Sequence, residues 1–364
     1  MKLTLDPEQQ VLQDTTRRFL AGRVSVAHTR ELLAQGGLRH DAAVWKRACG
    51  ELGLAGLIAD PDRGGSGTGL TEASLVLEEF GAVLGGGPVL SVTAAVAALE
   101  MAGGDIADKY VSRLVEGEAT AAVVLGVDGD FQPGAPAVDI DGGRCRITAS
   151  CPNVMDAPDA DIFVLIVPSD VAARVVIVER GAHGVTIEPV ASLDLTRGFA
   201  DVHLDKVVGD TALLAPGAAE GLRDRMAVLI AAELSGLIRS CITHTTTYAQ
   251  TRVAFGRVIG SFQSLKHRLA DMYCQLELVQ SAVRAATWCA DSGDRDFAIN
   301  AAVAMRAATG QAVDISTECL RMTGGVAYTW EHDAHFYVRR AHQDQSLLGG
   351  RVGNDERLRE LVLA

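Results

Sequence analysis

The sequence predicts an α+β protein in three consecutive parts: an N-terminal helical domain (residues 1–118), a middle β domain (119–210) and a C-terminal helical bundle (211–364). Three observations carry this. Apolar residues recur at helical spacing from Pro7 to about Met101, the period changes to that of strands between about Ala119 and Val208, and helical periodicity returns after PGAAEG near Pro216 and persists almost to the end. A chain of 364 residues also exceeds what one hydrophobic core usually serves.

In the first part, Val11, Leu12, Thr15 and Phe19 form one predicted helical face, and Leu75, Val76, Leu77 and Phe80 belong to a later helix. WKRACGELGL, opening with Trp45, reads as a core helix. DPDRGGSGTGL, Asp60 to Leu70, holds enough glycine to suggest a phosphate cradle, but no lysine follows in Walker-A position and no β-branched strand precedes it. It reads as a loop between helices. In the second part, AAVVLGV, CRITAS, DIFVLIV, RVVIVER and ADVHL are the predicted strands, whereas VDGDFQPGAPAVDIDGG reads as loop or hairpin outside the core. In the third, Met226, Leu229, Ile230, Leu234, Leu237, Cys241 and Ile242 mark one apolar face of a long helix, and two more helices follow at roughly 262–291 and 296–323.

Composition excludes several function classes. With 33 basic and 46 acidic residues the net charge is −13, which repels a phosphate backbone, so nucleic acid is not an expected partner. No uninterrupted apolar run reaches the roughly 18 residues of a membrane span, and the first 20 residues alternate charge and apolar groups unlike a secretory signal. A cytoplasmic protein without membrane contact is the expectation. The seven cysteines are scattered, odd in number and never spaced as CxxC, and read as ordinary buried thiols rather than as disulfides or zinc ligands. EHDAH, Glu331 to His335, offers two histidines at i,i+3 but no third well-placed ligand, and reads as a polar turn leading into a helix; no metal site is expected.

The stretch RVAFGRVIGSFQSLKHRLADM, Arg252 to Met272, joins a Gly-punctuated break to an amphipathic helix. With the domain order, this RxxFGxxIxxFQxxKHxLADM pattern resembles the acyl-CoA dehydrogenase family. ELGLAGLIADPDRGGSGTG with LEEFG, the AELSG helix and GGVAYTWEHDAHFYVRRA extend the likeness over nearly the whole chain, and TWEHDAH is similar to actinobacterial members of steroid degradation, some of which work as two unlike subunits. The resemblance implies the family's fold, with a middle β-barrel or sandwich and a C-terminal four-helix bundle. It also implies FAD, an acyl-CoA substrate, and electron-transfer flavoprotein or an equivalent acceptor. In the family the Arg and Phe of the joint reach the flavin of the neighbouring subunit and the Gln opening the next helix helps to position it, which carries over to Arg252, Phe255 and Gln263. Arg252 also suits a pyrophosphate on its own chemistry, since its planar fork donates several charge-assisted bonds. Gly324 and Gly325 fall where the family lets backbone amides approach the partner's flavin diphosphate, and also suit a helix C-cap. Arg321 stands where family members usually have Gln, and a cation there still suits a phosphate.

Against this pattern, the two places where the family keeps its catalytic Glu fall on Leu348 and Met226, neither of which can take a proton. The T/S-E-P turn, GSD and W-x-T strand that surround the flavin ring are absent too. Asp344, one helical turn before Leu348 if that segment is helical, and Glu233, an acid within LIAAELSG, are alternative bases; Glu233 reads first as a structural carboxylate, and otherwise as a base or an interface group. Three readings follow from the resemblance. The first is a supporting subunit of a heteromeric, α2β2 enzyme that shares its flavin site with a second family member. The second is a complete homomeric enzyme with an unconventional base, and the third is a structural paralogue that binds neither flavin nor substrate.

Overall fold

The computed structural model describes residues 3–34, 40–85, 87–125, 136–169 and 172–363. Helix α1 (Pro7–Leu20) begins at a capping box: Asp6 accepts from the Gln9 amide at 2.9 Å, Gln9 accepts from the Asp6 amide at 3.1 Å, and Pro7 occupies the first helical position. Its buried residues are Thr16, Phe19 and Leu20, while Val11 is 63% exposed, so the face is turned from the one predicted. After α2 (Val26–Ala34), α3 (Ala42–Leu52) is capped by Asp41 and buries Trp45.

The glycine-rich segment that follows is a packing device, as its reading as a loop requires. Its amides are spent within the chain: Gly65 on Asp60, Ser66 on Gly56, Gly67 on Ala59 and Thr68 on Leu57, leaving no cradle for a phosphate. A Cβ on Gly65 would stand 2.1 Å from the Ala59 carbonyl oxygen. Helix α4 (Leu70–Ala82) then starts without a side-chain cap of its own. Asp291, from a distant helix, accepts from the Leu70 amide at 2.6 Å and the Thr71 amide at 3.0 Å, and a Cβ on Gly69 would meet that carboxylate at 2.4 Å. Helix α5 (Val89–Ala102) is buried along almost its whole length, and α6 (Gly104–Val115) closes this part.

The β domain contains β1 (Ala121–Val124), β2 (Ala137–Asp141), β3 (Arg144–Met155), β4 (Ile162–Val167), β5 (Arg174–Glu179), β6 (Val185–Val190) and β7 (Phe199–Leu213). Their order is β1-β4-β5-β7-β3-β2, with β6 pairing the first half of β7; β1 and β4 are parallel and the other pairs antiparallel. In β4, Ile162, Val164 and Ile166 enter the core shared with the helices, while Phe163, Leu165 and Val167 enter a second core belonging to the strands. Burial on both faces is why DIFVLIV reads as an unbroken apolar run. The five predicted strands are present. Strand β6 was not predicted, because VTIEPV carries a proline and a glutamate and lies largely open to solvent. Of the segment expected to stay outside the core, 137–141 forms the exposed arm of the β2–β3 hairpin and 126–135 lies outside the described residues.

Helix α7 (Ala218–Thr251) runs about 50 Å at 1.5 Å per residue. Between Met226 and Ile238 every residue is buried, so it is a central helix and not the one-faced helix predicted. By length and composition it could cross a membrane, but its apolar window is 89% buried inside the fold. Helices α8 (Gln263–Ser292), α9 (Phe297–Thr323) and α10 (Ala334–Gln345) complete the four-helix bundle, and α11 (Gly350–Leu363) packs on α9. The crossing of α4 and α7 explains two of the motifs. A Cβ on Gly236, of AELSG, would lie 1.8 Å from the Glu78 carbonyl oxygen, and one on Gly81, of LEEFG, would lie 1.9 Å from that of Glu233. Each helix gives up a side chain so that the other's backbone can approach. Six cysteines are buried as read; Cys274, on the outer side of α8, is exposed.

Candidate functional site

At the end of α7 the chain turns through a small hairpin, β8 (Val253–Ala254) paired with β9 (Arg257–Val258). Its two-residue tip is Phe255 and Gly256, with φ of 53° and 77°. Left-handed backbone at both positions is what a type I′ turn demands, and only the glycine adopts it without strain. The fold accepts that strain to hold Phe255 outward, 94% exposed, with its ring edge toward Phe262 at 6.3 Å. Arg257 covers the other ring at 4.0 Å. Arg252, which caps α7, and Gln263, which opens α8, are exposed beside the tip, and among the described residues neither side chain has a hydrogen-bond partner. Arg252, Phe255 and Gln263 are thus presented away from their own chain.

A second outward patch lies at the end of α9. Gly324 takes φ 84° and ψ −161°, a conformation that favours glycine, and a Cβ on Gly324 or Gly325 would meet nothing within 4 Å. Packing within this chain therefore does not require the glycine at 325. Arg321 is 67% exposed, with Glu318 at 3.7 Å. Among the described residues no side-chain hydrogen bond or ion pair joins this patch to the hairpin.

Met226 and Leu348, distant in sequence, meet in one pocket of about 480 Å³, open to solvent. Its wall is Val123 to Leu125 at the end of β1, Pro152 to Met155 in β3, Met226 and Ile230 of α7, and Leu347 with Leu348. Among the described residues Asn153 alone lines it with a polar side chain; it sits at φ 51° where the register of β3 on β7 shifts. No carboxylate among the described residues lines the pocket. Asp224, nearest in sequence to Met226, is paired with Arg357 at 3.2 Å.

Asp344 and Glu233 lie elsewhere. Helix α10 stops at Gln345 and Leu348 has φ 52°, so Asp344 and Leu348 do not share the helical face that was expected. Both acids enter a fully buried ionic cluster at the seam between the β domain and the bundle. Arg197 donates to the two oxygens of Glu233 at 2.8 and 2.7 Å and to Asp344 at 2.9 Å. Arg340 donates to Glu233, to Asp194 and, at 2.6 Å, to the Thr196 hydroxyl. Burial pushes the Glu233 carboxyl upward, but Arg197 and Arg340 together outweigh it and hold the group below its usual range. Of the three readings of Glu233, the geometry is that of a structural carboxylate. Sequence reasoning missed Arg197 and Arg340 as functional partners of these acids; the available signal was two arginines, in DLTRG and VRRA, close to apolar runs.

The residues of EHDAH are engaged singly. His332 accepts from the Ala334 amide at 3.1 Å and so caps α10, while the His335 ring packs edge-on to Trp330 at 4.9 Å. They form the polar turn expected there.

Comparison with known proteins places this geometry in a family. Residues 6–118 match the profile "Acyl-CoA dehydrogenase, N-terminal domain" and residues 219–364 the profile "Acyl-CoA dehydrogenase, C-terminal domain". The chain is 32% identical to "Acyl-CoA dehydrogenase IpdE2" of Mycobacterium tuberculosis over 95% of its own length and 94% of the relative's. It is 30% identical to "Acyl-CoA dehydrogenase FadE34" of the same organism, over 96% of this chain and 47% of that protein. Among solved structures, a chain of the ChsE4–ChsE5 complex from Mycobacterium tuberculosis superposes with a TM-score of 0.91 at 27% identity, covering 100% of both chains.

Proposed function

The chain belongs to the acyl-CoA dehydrogenase family, flavin-dependent oxidoreductases of the CH–CH bond of acyl-CoA thioesters, and on that premise we propose that it is the supporting subunit of a heteromeric member of that family. In this reading it completes a flavin site whose reacting end lies in a second, glutamate-bearing chain. The observation that carries it is the pocket: the two positions open to a catalytic carboxylate converge there as Met226 and Leu348, in a wall with no acid among the described residues. An apolar wall can enclose an acyl group but cannot remove the α-proton of a thioester, which needs a carboxylate within hydrogen-bond reach.

When bound, FAD supplies the acceptor for the hydride that leaves the β-carbon. This chain's part is to hold it. The Arg252 guanidinium would donate to the diphosphate, Phe255 would cover apolar surface across the subunit boundary, Gln263 would orient the cofactor from the start of α8, and the Gly324–Gly325 backbone would hold the phosphates with Arg321 adding charge. The open, unpartnered placement of Arg252, Phe255 and Gln263 supports this half of the site. The pocket fits the flavin ring poorly, since among the described residues only Asn153 offers a polar side chain. A bulky acyl-CoA, such as one with a steroid-derived side chain, is the substrate class, supported by the likeness of TWEHDAH to members of steroid degradation; the relatives support an acyl-CoA substrate in general. Electron-transfer flavoprotein, or an equivalent, is the acceptor, and the assembly is an α2β2 heterotetramer in the cytoplasm.

The test is to purify the full chain alone and co-expressed with a family member that has the glutamate and the T/S-E-P turn, and to record flavin absorbance per protomer. A colourless chain that becomes yellow and active only with its partner, at about one flavin for every two chains, is expected. A stable homotetramer that carries flavin and reduces a dye with an acyl-CoA overturns the reading.

A further inference from the structure

The seam cluster holds more acid than base. Two guanidiniums, Arg197 and Arg340, face Asp194 from the connection before β7, Glu233 from α7 and Asp344 from α10, with Asp156 behind them 4.0 Å from Arg197. Two of the four acids are well supplied, and a third, Asp156, keeps a hydroxyl donor and a side chain 13% open to solvent. Glu233 takes both arginines; Asp194 takes Arg340, the Thr196 hydroxyl at 2.6 Å and the Thr196 amide at 2.8 Å; Asp156 accepts from the Ser91 hydroxyl at 2.5 Å. Asp344 is the residue left short. It is completely buried, and among the described residues one oxygen accepts from Arg197 alone and the other has no partner. An ionised carboxylate cannot stay so poorly satisfied away from water, whereas a protonated one can.

Asp344 is also tied to the pocket wall. Its carbonyl accepts from the Leu347 amide at 3.2 Å, and Leu347 and Leu348 line the pocket. The next three residues, Leu348, Gly349 and Gly350, all have left-handed backbone, with φ of 52°, 82° and 66°, and the Leu348 carbonyl accepts from Arg223 at 3.3 Å. A leucine in that region is held by its surroundings and not by its own preference.

We propose that Asp344 holds the cluster's surplus proton while the seam is closed and releases it to solvent when the 346–350 turn opens, which makes that wall of the pocket a proton-linked latch. The latch does not depend on what the pocket binds or on whether the chain shares a flavin. Burial drives the Asp344 carboxyl up, to about 7, against the pull of Arg197. In the opened, hydrated turn the group returns to an ordinary value of about 3.9. Closed Asp344 therefore binds a proton that open Asp344 does not between those limits, so the closed form weakens as pH rises from about 4 to about 7 and changes no further above that.

Hydrogen exchange of the intact full-length chain between pH 5 and pH 8, corrected for intrinsic rates, tests this. Protection of residues 344–350 should fall about tenfold per pH unit up to pH 7 and then level off, relative to α5, which is remote from the turn. Asp344→Asn, permanently neutral and nearly isosteric, should keep high protection across the range. A wild-type turn that follows α5, or the same fall in Asp344→Asn, overturns the proposal. Should the variant not fold, the wild-type profile decides alone, since a flat profile overturns it.

Discussion

Single residues in this protein act mostly through what a Cβ or a charge would meet. Gly236 and Gly81 exist for the α4–α7 crossing, so Gly236→Ala should overpack it and lower stability by about 1–3 kcal/mol, read by urea unfolding. The same change in an open turn, such as Gly142→Ala, meets nothing within 4 Å and costs only its left-handed backbone. Asp291 is a cap supplied from 220 residues away. Asp291→Ala should cost about 0.5–2 kcal/mol and fray the start of α4, seen as faster amide exchange at Leu70 and Thr71. Glu233 bridges two buried guanidiniums, and Glu233→Ala should cost about 3–5 kcal/mol, because it breaks a buried ion pair with each of them and leaves Arg197 only Asp344, and Arg340 only Asp194 and Thr196, at hydrogen-bond distance. That loss would appear with no substrate present, which separates a structural carboxylate from a catalytic base.

Among the elements, the β8–β9 hairpin is the one whose sequence works against its own backbone. Phe255 sits where Asn or Gly is preferred, so Phe255→Asn should relieve local strain while removing the outward ring. If the hairpin serves a neighbouring subunit, that variant should fold at least as well as the parent and lose flavin from the assembled complex. Arg252→Ala should do the same with no gain in stability. Unchanged flavin content in both would leave the hairpin without a role in cofactor binding. Helix α7 illustrates how an element's surroundings override its pattern. Its apolar residues at three- and four-residue spacing were legible, but the intervening Ala227, Val228, Ala231 and Ala232 are equally buried because α4, α8, α9 and α10 surround it. Periodicity reports one apolar face and stays silent about alanines, which fit either inside or outside. Strand β6 was missed for a related reason: it is an edge of mixed residues whose pairing to β7 is decided by the partner and not by its own pattern.

For the whole molecule, the decisive feature is where distant segments meet. Met226 and Leu348 were each readable as a non-acid at a position that calls for one, but only the fold brings both into one pocket of about 480 Å³. Likewise Glu233 and Asp344 were visible as acids in suspicious places, and only the fold supplies Arg197 and Arg340 to them. The domain order, the helical and strand periods, the glycine motifs and the joint at Arg252 were fixed by local composition and spacing, because those follow from 3.6- and 2-residue repeats that any short segment displays. Burial of charge, convergence of a pocket wall and the arginine partners of the buried carboxylates depend on contacts between residues from 36 to 147 positions apart. A linear pattern holds no distance between such residues, so those features belong to the tertiary structure alone.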